Sequence, residues 1–421
     1  MNNVLLVGVD VHRQRNQVVS MNAEGQVVGP RLSVDNNRPG TERLVEQLVA
    51  QVEAGGYEAI ELAAEATGWY WLNFFQMMRQ DPRLQPWPLA LYALNPRVVA
   101  GFRKTYVDRD KTDQSDAFII ADRLRLGRDL PQPFALDERT APLRFLTRYR
   151  HHLVHVLVRE KNLYLSLLYL KASEYDHPDK KRRPFSDVFG ATSRAVIQRF
   201  ACIEQVAAME LAELAEFIDR KGKHQFADPT ATATKLQQVA RDSYPLPEVL
   251  QEPINLILTL SLQQIDALRT AIKRLDTVIA ERLATIPHTL ETIPGFGPVF
   301  SAGIIAEIGD LARFNYDQAK VAKFAGFKWR RTQSAEFEAE ETRLTRTGNA
   351  YLRYYFCEAA NAVRMHDAEY AAYYDRKFRE ARKHKHKRAI VLTARKLVRL
   401  VVRLLTTNQP YRPRRPQAPT P

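Results

Sequence analysis

Short apolar runs and amphipathic stretches alternate through the first quarter of the chain. The run VLLVGVDV at residues 4–11 is nearly continuous, which is typical of a central strand covered on both faces. The segments NQVVSMN and GQVVGPRLSV follow, separated by a turn at residues 23–25, and they predict two further strands joined by a hairpin. We therefore expect a three-stranded meander at the start of the fold.

Helical and strand patterns then alternate. Helices are predicted at residues 39–53, from about Trp69, and from Pro96, while EAIELAAE and LALYAL between them predict strands. The helix that opens with Asp113 to Asp116 closes this region near residue 135. Three strands followed by alternating helices and strands indicate an α/β domain at residues 1–135, with one mixed sheet flanked by helices.

Residues 136–286 carry a helical pattern, with basic turns at KKRRPF and at Lys221-Gly222-Lys223. Apolar positions in its later part recur at alternating steps of three and four, which is the seam of a coiled coil. The helix at residues 143–170 has a similar repeat and is the expected partner. The seam positions are Leu258, Ser261, Ile265, Leu268, Ile272, Leu275 and Ile279.

The last third, residues 287–409, begins with IPGFGPVFSAGIIAEIG. A Gly-x-Gly turn that opens a small-residue helix is typical of a helix-hairpin-helix element, whose backbone N–H groups can approach a phosphate, although Gly295 and Gly297 also suit an ordinary tight turn. The chain continues into a basic amphipathic helix, RKHKHKRAIVLTARKLVRLVVRLL. Residues 410–421, YRPRRPQAPTP with its preceding proline, are too proline-rich to fold and predict a disordered tail.

The net charge of the chain indicates which class of molecule it binds. The 421 residues include 62 Lys and Arg against 48 Asp and Glu, a formal net charge of +14, which points to polyanions and first of all to nucleic acid. The two cysteines, Cys202 and Cys357, lack metal-site spacing, and the sequence shows neither an export leader nor an apolar run of about 18 residues. We therefore expect a cytoplasmic protein without a membrane span.

Acidic residues stand at selected positions of this basic chain. Asp10 lies inside an otherwise apolar strand, where a capping role is excluded, and Asp113 and Asp116 share one face of a helix. Glu61 and Glu65 compete as the acid supplied by the strand EAIELAAE. Converging carboxylates are tolerable when a divalent cation neutralises them, and oxygen ligands favour Mg²⁺ or Mn²⁺.

Each of these residues also has a purely structural interpretation. Asp113 could be a helix N-cap and Asp116 could act on the helix dipole. His12 is expected at an exposed strand end rather than in contact with a metal or phosphate. The aromatic residues Trp69, Tyr70 and Trp71 are expected in the core rather than as base-stacking surfaces.

The motifs VGVDVH, EATGWYW, NPRVVAGF and KTDQSDAFIIADRL, in this order, resemble the N-terminal DEDD domain of insertion-sequence transposases with an RNase H-like (RuvC-like) fold. The C-terminal motifs IPGFGPVFSAGIIAEIGD, FAGF, QSAEF, TRTGNAYLRYYFCEAANA and HKRAIVLTARKL resemble the second, mostly α-helical transposase domain of the same family, the bridge-RNA-guided recombinases. The resemblance covers residues 4–127 and 288–405, and the helical middle is similar only in character.

This resemblance implies catalytic, metal-binding acids at Asp10, Glu65, Asp113 and Asp116, and it selects Glu65 over Glu61 through the match to EATGWYW. It also implies a serine nucleophile at Ser334, although Ala335 stands where the family usually has glycine. The implied enzyme is a Mg²⁺-dependent (or Mn²⁺-dependent) DNA recombinase with donor DNA, target DNA and a structured guide RNA as partners. Its active site is shared between protomers, which implies a dimer or tetramer.

Basic residues provide candidate contacts with DNA or RNA phosphates, with solvated helix faces as the alternative for each patch. Two other functions remain open: a junction-resolving nuclease that needs only the acids, and a non-catalytic nucleic-acid-binding protein. The candidate phosphate contacts are Lys180, Lys181, Arg182, Arg183, Lys328, Arg330, Arg331, Arg346, Arg353, Lys383, Lys385, Lys387 and Arg388.

Overall fold

A computed structural model of the chain describes residues 3–106, 112–128, 130–329 and 347–413, together with 333–334, 337–338 and 344–345. The chain divides into two compact units, Met1–Asp137 and Glu138–Pro421, which are described separately.

The first unit is built on a mixed five-stranded sheet, as the strand pattern predicts. Its strands are β1 (Val4–Val11), β2 (Arg15–Met21), β3 (Leu32–Asp35), β4 (Ala59–Glu65) and β5 (Leu89–Leu94). They lie in the order β3-β2-β1-β4-β5, antiparallel from β3 to β1 and parallel from β1 to β5. The strand β1 is therefore central and flanked by β2 and β4.

The meander is shorter than its sequence suggests. Of the predicted third strand, only the Leu32–Asp35 end is formed, while Val27 makes a single bridge to Met21. Gly29 adopts a φ of 69° and Pro30 follows it, so the chain leaves the sheet there. A left-handed residue followed by one without an N–H cannot continue a ladder.

Helices cover both faces of this sheet. Leu5, Val7 and Val9 of β1 join the apolar core on one face, whereas Leu6 joins the core on the opposite face. The helices of the unit are α1 (Arg38–Gly55), α2 (Tyr70–Gln80), α3 (Pro96–Arg103) and α4 (Asp113–Arg125), with a 3-10 turn at Pro82–Leu84.

Helix α4 lies directly on β1 because Gly8 has no side chain. A Cβ at Gly8 would stand 2.1 Å from the Ala117 carbonyl oxygen and 2.3 Å from the Ala121 nitrogen. Any larger residue would push the helix away from the strand. The glycine in VLLVGVDV thus sets how closely the N-terminal turn of α4 approaches the end of β1.

Two long helices organise the second unit: α5 (Ala141–Lys171) and α10 (Glu248–Leu283). They pack along each other as antiparallel neighbours, because Arg150 pairs with Asp276 while Lys171 binds Asn255. The predicted seam is buried at Leu258, Ser261, Ile265 and Ile279 and half-buried at the positions between. The pairing of these two helices is as predicted, and a coiled coil remains a prediction.

The remaining helices form two apolar clusters on this pair. One contains the C-terminal half of α5 with α6 (Ala191–Arg199), α7 (Glu204–Ala208), α8 (Leu211–Lys221) and α9 (Pro229–Asp242). The other contains α11 (Pro298–Ile308), α12 (Gln318–Phe324), α13 (Ala350–His366), α14 (Ala368–Glu380) and α15 (Lys385–Thr407). Two-residue strands β6 (Gln333–Ser334) and β7 (Phe337–Glu338) pair with each other, and 3-10 turns lie at Leu290–Thr292 and Leu311–Phe314.

The helix-hairpin-helix expectation is met only in its second half. A single 3-10 turn precedes the glycine turn, and α11 follows it. A Cβ at Gly295, whose φ is 80°, would stand 2.9 Å from the Ala362 carbonyl oxygen. This turn is therefore packed against α13 through Gly295, which serves close packing in the core.

Two further expectations need correction. Trp69 and Tyr70 are 47% and 48% exposed, so only Trp71 of the aromatic triplet joins the core, where its ring packs edge-on against Phe75. Tyr411, placed in the tail by the sequence, is anchored, because its hydroxyl donates to Asp367 Oδ2 at 2.7 Å. Residues 414–421 lie outside the described part.

Throughout the described residues, no helix combines the length and apolar character that crossing a membrane requires.

Candidate active site

The site begins at the end of the central strand. Val9 of β1 pairs with Ala64 of β4 in parallel register, so Asp10 and Glu65 are the next residues on adjacent strands. Both side chains are partly buried, and the other interior positions of these strands are apolar except for Glu61. Parallel strands end at the same edge of a sheet, which places these two acids side by side along the backbone.

Two more acids come from the first turn of α4. Thr112, and not Asp113, is the N-cap: its hydroxyl accepts from the Ser115 N–H while the Ser115 hydroxyl accepts from the Thr112 N–H. This reciprocal capping box makes Asp113 the first helical residue and leaves its carboxylate unused for capping. The capping interpretation of Asp113 is therefore wrong, and Asp113 and Asp116 both lie in the first turn of the helix.

His12 connects the strand acid to the helix acid. Its Nε2 lies 3.0 Å from Asp10 Oδ2 and 3.8 Å from Asp113 Oδ1. One ligand atom from each of these three residues falls within 4.8 Å of the others, a spacing that suits a shared metal ion. The His12 side chain is 52% exposed, so it occupies the exposed strand end that the sequence favours and also contacts the site acids.

The local electrostatics oppose ionisation of Asp10. Burial raises the pKa of Asp10 above its usual value, and His12 offsets part of this effect through its charge and hydrogen bond. The neighbouring carboxylates of Asp116 and Asp113 raise the pKa further. A carboxylate surrounded in this way is relieved by a cation, because a positive charge favours its ionised form.

Asp116 contacts an arginine rather than His12. Its Oδ2 lies 2.7 Å from Arg103 Nη2, at the end of α3. Its other oxygen, Oδ1, is buried and has no hydrogen-bond partner among the described residues. Sequence reasoning did not identify Arg103, since no spacing rule relates the end of α3 to the first turn of α4.

The two glutamates of β4 differ in their surroundings. Glu65 Oε1 accepts a hydrogen bond of 2.6 Å from the Thr67 hydroxyl. Glu61 lies four residues earlier on the same strand, and burial raises the pKa of its carboxyl. Among the described residues, the group whose ligand atoms all lie within 4.8 Å of one another comprises Asp10, His12 and Asp113, and neither Glu65 nor Asp116 belongs to it.

Ser334 lies in the second unit, in the short strand β6, where it pairs with Phe337 of β7. At the base of this segment, Trp329 bridges Leu344 and the Thr345 N–H donates to the Lys328 carbonyl at 2.8 Å. The Ser334 side chain and Ala335 lie outside the described residues.

A buried acid of the second unit was missed by sequence reasoning. Glu307 of α11 accepts two hydrogen bonds from Arg148, at 2.6 and 2.9 Å, and one from Asn349 Nδ2 at 2.6 Å. Its side chain is 1% exposed. Its sequence signal is the one that identified Asp10, an acid within the otherwise apolar run GIIAEIG.

The predicted phosphate contacts fall into distinct groups. Lys180 and Lys181 are exposed, whereas Arg182 pairs with Glu174 at 3.0 Å and Arg183 with Asp176 at 3.0 Å. Lys328, Lys383, Lys385 and Lys387 are exposed, Arg388 is half-buried, and Arg353 Nη1 donates to the Ala325 carbonyl. Arg330, Arg331 and Arg346 lie outside the described residues.

Comparison with known proteins identifies both ends of the chain. Residues 7–170 match a family model for DEDD transposases of the IS110 type, and residues 287–375 match the model described as transposase of the IS116/IS110/IS902 family. The uncharacterized 42 kDa protein of insertion element IS900 from Mycobacterium paratuberculosis is 28% identical over 314 residues, 73% of this chain and 75% of that protein. The uncharacterized 44.8 kDa protein of insertion element IS116 from Streptomyces clavuligerus is 26% identical over 326 residues, 77% and 78% of the two chains.

The two family models together match more than half of the chain, in the order in which its sequence motifs occur. The four predicted acids, Asp10, Glu65, Asp113 and Asp116, fall within the first matched region and Ser334 within the second. The chain therefore belongs to the IS110/IS116 family of transposases and is an enzyme that acts on DNA.

Proposed function

We propose that this transposase excises and inserts its own insertion sequence by strand exchange, using Asp10, Glu65, Asp113 and Asp116 to hold Mg²⁺ or Mn²⁺ and Ser334 as the nucleophile. The observation that carries the metal site is the group of Asp10, His12 and Asp113, whose ligand atoms lie within 4.8 Å of one another. A basic protein can grip the polyanionic substrate through its surface while this acidic group acts on a single phosphate.

The residues present fit a divalent cation. Asp116 Oδ1 is a buried carboxylate oxygen without a hydrogen-bond partner among the described residues, and burial of Asp10 beside other acids is costly without a counter-charge. Carboxylate oxygens are the ligands that Mg²⁺ and Mn²⁺ prefer. A bound cation would neutralise developing charge on the scissile phosphate and lower the cost of deprotonating a nucleophile.

In the proposed reaction the four acids position the cation and Ser334 attacks the DNA. The Ser334 oxygen forms a bond to the scissile phosphorus as the bond from phosphorus to the leaving deoxyribose oxygen breaks. The hydroxyl loses its proton and the departing oxygen gains one, which leaves DNA joined to the protein through a phosphoserine linkage. This linkage keeps the energy of the phosphodiester bond available for rejoining to a second strand.

The choice of DNA sites is assigned to a structured RNA transcribed from the element, and the active site is assigned to residues from two protomers of an RNase H-like fold. Both assignments rest on the resemblance of the motifs at the two ends of the chain. The exposed lysines Lys180, Lys181, Lys383, Lys385 and Lys387 are suited to phosphate contacts that add affinity without sequence preference.

The decisive experiment compares Ser334→Ala with Ser186→Ala, a change at an exposed serine far away in sequence. Labelled donor DNA is incubated with full-length protein, Mg²⁺ and the RNA transcribed from the element, and the products are separated under denaturing conditions. We expect Ser186→Ala to form covalent protein–DNA product and Ser334→Ala to form none. Full recombination by Ser334→Ala would overturn the serine mechanism, and cleavage without recombination by both proteins would favour a nuclease.

A further inference from the structure

One cationic side chain stands within the acidic site. Arg103 ends α3, and its Nη2 lies 2.7 Å from Asp116 Oδ2, with the two side chains 31% and 14% exposed. Asp116 in turn lies close enough to Asp10 to raise the pKa of that carboxyl. Arg103 therefore supplies positive charge at the point where the proposed function places a divalent cation.

The contact between Arg103 and Asp116 leaves polar atoms of both side chains unused. Asp116 Oδ1 and Arg103 Nε are each buried and without a hydrogen-bond partner among the described residues. A guanidinium and a carboxylate usually satisfy each other through two parallel hydrogen bonds, so a one-point contact is an incomplete pairing. Each side chain therefore retains one buried polar group that can bind a further ligand. The free carboxylate oxygen of Asp116 is suited to a cation, and the free N–H of Arg103 is suited to an anion.

We propose that Arg103 is a phosphate-contacting residue of the cleavage reaction and that it neutralises Asp116 until a divalent cation binds. This inference rests on the proposed metal site. With Asp116 engaged by a bound cation, the guanidinium of Arg103 would be free to donate to an oxygen of the DNA phosphate. Donors that face the charge developing on a reacting phosphate stabilise its transition state, and arginine is well suited because its planar fork matches phosphate oxygens.

The position of Arg103 suits this exchange. It belongs to the same unit as Asp10 and Asp116, and α3 packs against α4. A pairing that only fastened α3 to α4 would also place these residues together. The two roles differ in their effect on metal affinity, because a competing cation weakens metal binding whereas a structural clamp preserves the site.

The test uses Arg103→Gln, with Arg97→Gln as the matched control. Arg97 lies on the same helix and is exposed, so both variants lose one positive charge from α3. Two quantities are measured on full-length protein: the affinity for Mn²⁺ by calorimetry without DNA, and the rate of DNA cleavage at saturating Mn²⁺ with the element's RNA. Arg103→Lys is included because it retains the charge but loses the fork.

We expect Arg103→Gln to bind Mn²⁺ roughly tenfold more tightly, since a competing charge is gone, and to cleave DNA about a hundredfold more slowly. Arg103→Lys should bind Mn²⁺ like the wild type and still cleave slowly, whereas Arg97→Gln should match the wild type in both measurements. These opposite changes in affinity and rate are the signature of the proposed role.

Several results would overturn it. Weaker Mn²⁺ binding together with slower cleavage in Arg103→Gln would make Arg103 a structural clamp, and unchanged values in both measurements would leave it without a role in the reaction. If Arg103→Gln does not fold, normal cleavage by Arg103→Lys would overturn the phosphate contact. Failure of the proposed function itself is distinguishable, because then the wild type would bind no Mn²⁺ and Asp10→Asn would change nothing.

Discussion

The imidazole Nε2 of His12 lies 3.0 Å from Asp10 Oδ2, at the end of the central strand. The two residues are two positions apart, Asp10 in β1 and His12 directly after it, a spacing at which side chains of an extended chain share one face. The hydrogen bond and charge of His12 favour the ionised form of Asp10, against the larger effect of burial. Ionised Asp10 is thus electrostatically unfavourable in the metal-free folded protein.

Replacing Asp10 with asparagine should stabilise the metal-free protein. The folded-state pKa of Asp10 is raised above its unfolded value, so above that pKa the ionised carboxylate costs the folded state free energy. Removing the charge should increase the unfolding free energy at pH 7 by about 1 kcal/mol, a magnitude common for relief of site strain. Chemical denaturation in EDTA measures this difference, with Glu53→Gln at an exposed position of α1 as the control.

The same variant should lose the response to metal. Adding Mn²⁺ should raise the melting temperature of the wild type and of Glu53→Gln, since a ligand that binds only the folded state stabilises it. Asp10→Asn should show a much smaller rise. An Asp10→Asn protein that is destabilised in EDTA and still responds fully to Mn²⁺ would contradict the assignment of Asp10 as a ligand.

Glu307 should be among the most sensitive positions of the second unit. Glu307→Gln leaves the guanidinium of Arg148 facing a neutral amide in a buried setting, where loss of one ion-pair partner costs about 3 to 5 kcal/mol. Glu281→Gln, at an exposed position of α10, should change the unfolding free energy by less than about 0.5 kcal/mol. Equal urea midpoints for the two variants would show that the buried pair contributes little.

Acid should weaken the second unit through His151. Burial, and then the charges of His155 and His152, lower the pKa of His151 to about 4 from 6.5. Between these values the unfolded chain binds a proton that the folded protein does not, so stability is lost as pH falls from 6.5 toward 4.

His151→Gln should therefore lose less unfolding free energy than the wild type between pH 7 and pH 4.5. The exposed His384→Asn serves as the control and should follow the wild type. Denaturant titrations at the two pH values measure both differences. Parallel losses in all three proteins would exclude a contribution from His151.

Binding to duplex DNA should depend steeply on salt, and the slope should identify which basic residues contact phosphates. Lys383 and Lys387 are exposed and have no carboxylate partner in the described part of the chain, so Lys383→Gln with Lys387→Gln should reduce the log–log salt slope by about two. Arg182 and Arg183 already pair with Glu174 and Asp176, and their double Gln variant should change it less. Equal reductions, or no salt dependence, would contradict this division.

The pattern of apolar and polar residues was sufficient to predict most strands and helices of the first unit and part of the candidate site. The apolar run of β1, the strands β4 and β5 and the start of α4 near Asp113 are recoverable because burial periodicity acts between near neighbours in the chain, although the N-cap itself is Thr112. Asp10 was identifiable from the residues because an acid in a buried strand demands an explanation. Glu65 was not, since Glu61 on the same strand has the same signal and only the resemblance to EATGWYW separated them.

Sequence patterns gave wrong predictions where the burial or pairing of a residue depends on which other elements pack against it. Trp69 and Tyr70 were expected in the core because of their side chains, yet they precede or begin α2 at positions that no other element covers within the described residues. The third strand was predicted through residues 25–34, although only Leu32–Asp35 pairs with β2. Hydrophobicity reports what a residue would gain by burial and does not supply the surface that buries it.

The sequence by itself therefore determined an α/β unit followed by helices, a strand acid and a helical acid pair suited to a cation, and a strongly basic surface. Only the tertiary structure decided that His12 reaches both Asp10 and Asp113, that Arg103 pairs with Asp116, and that Glu307 lies buried between Arg148 and Asn349. The physical reason is that periodicity and capping depend on residues close together in the chain. These contacts depend instead on the close approach of separate elements, such as α4 to Gly8 of β1.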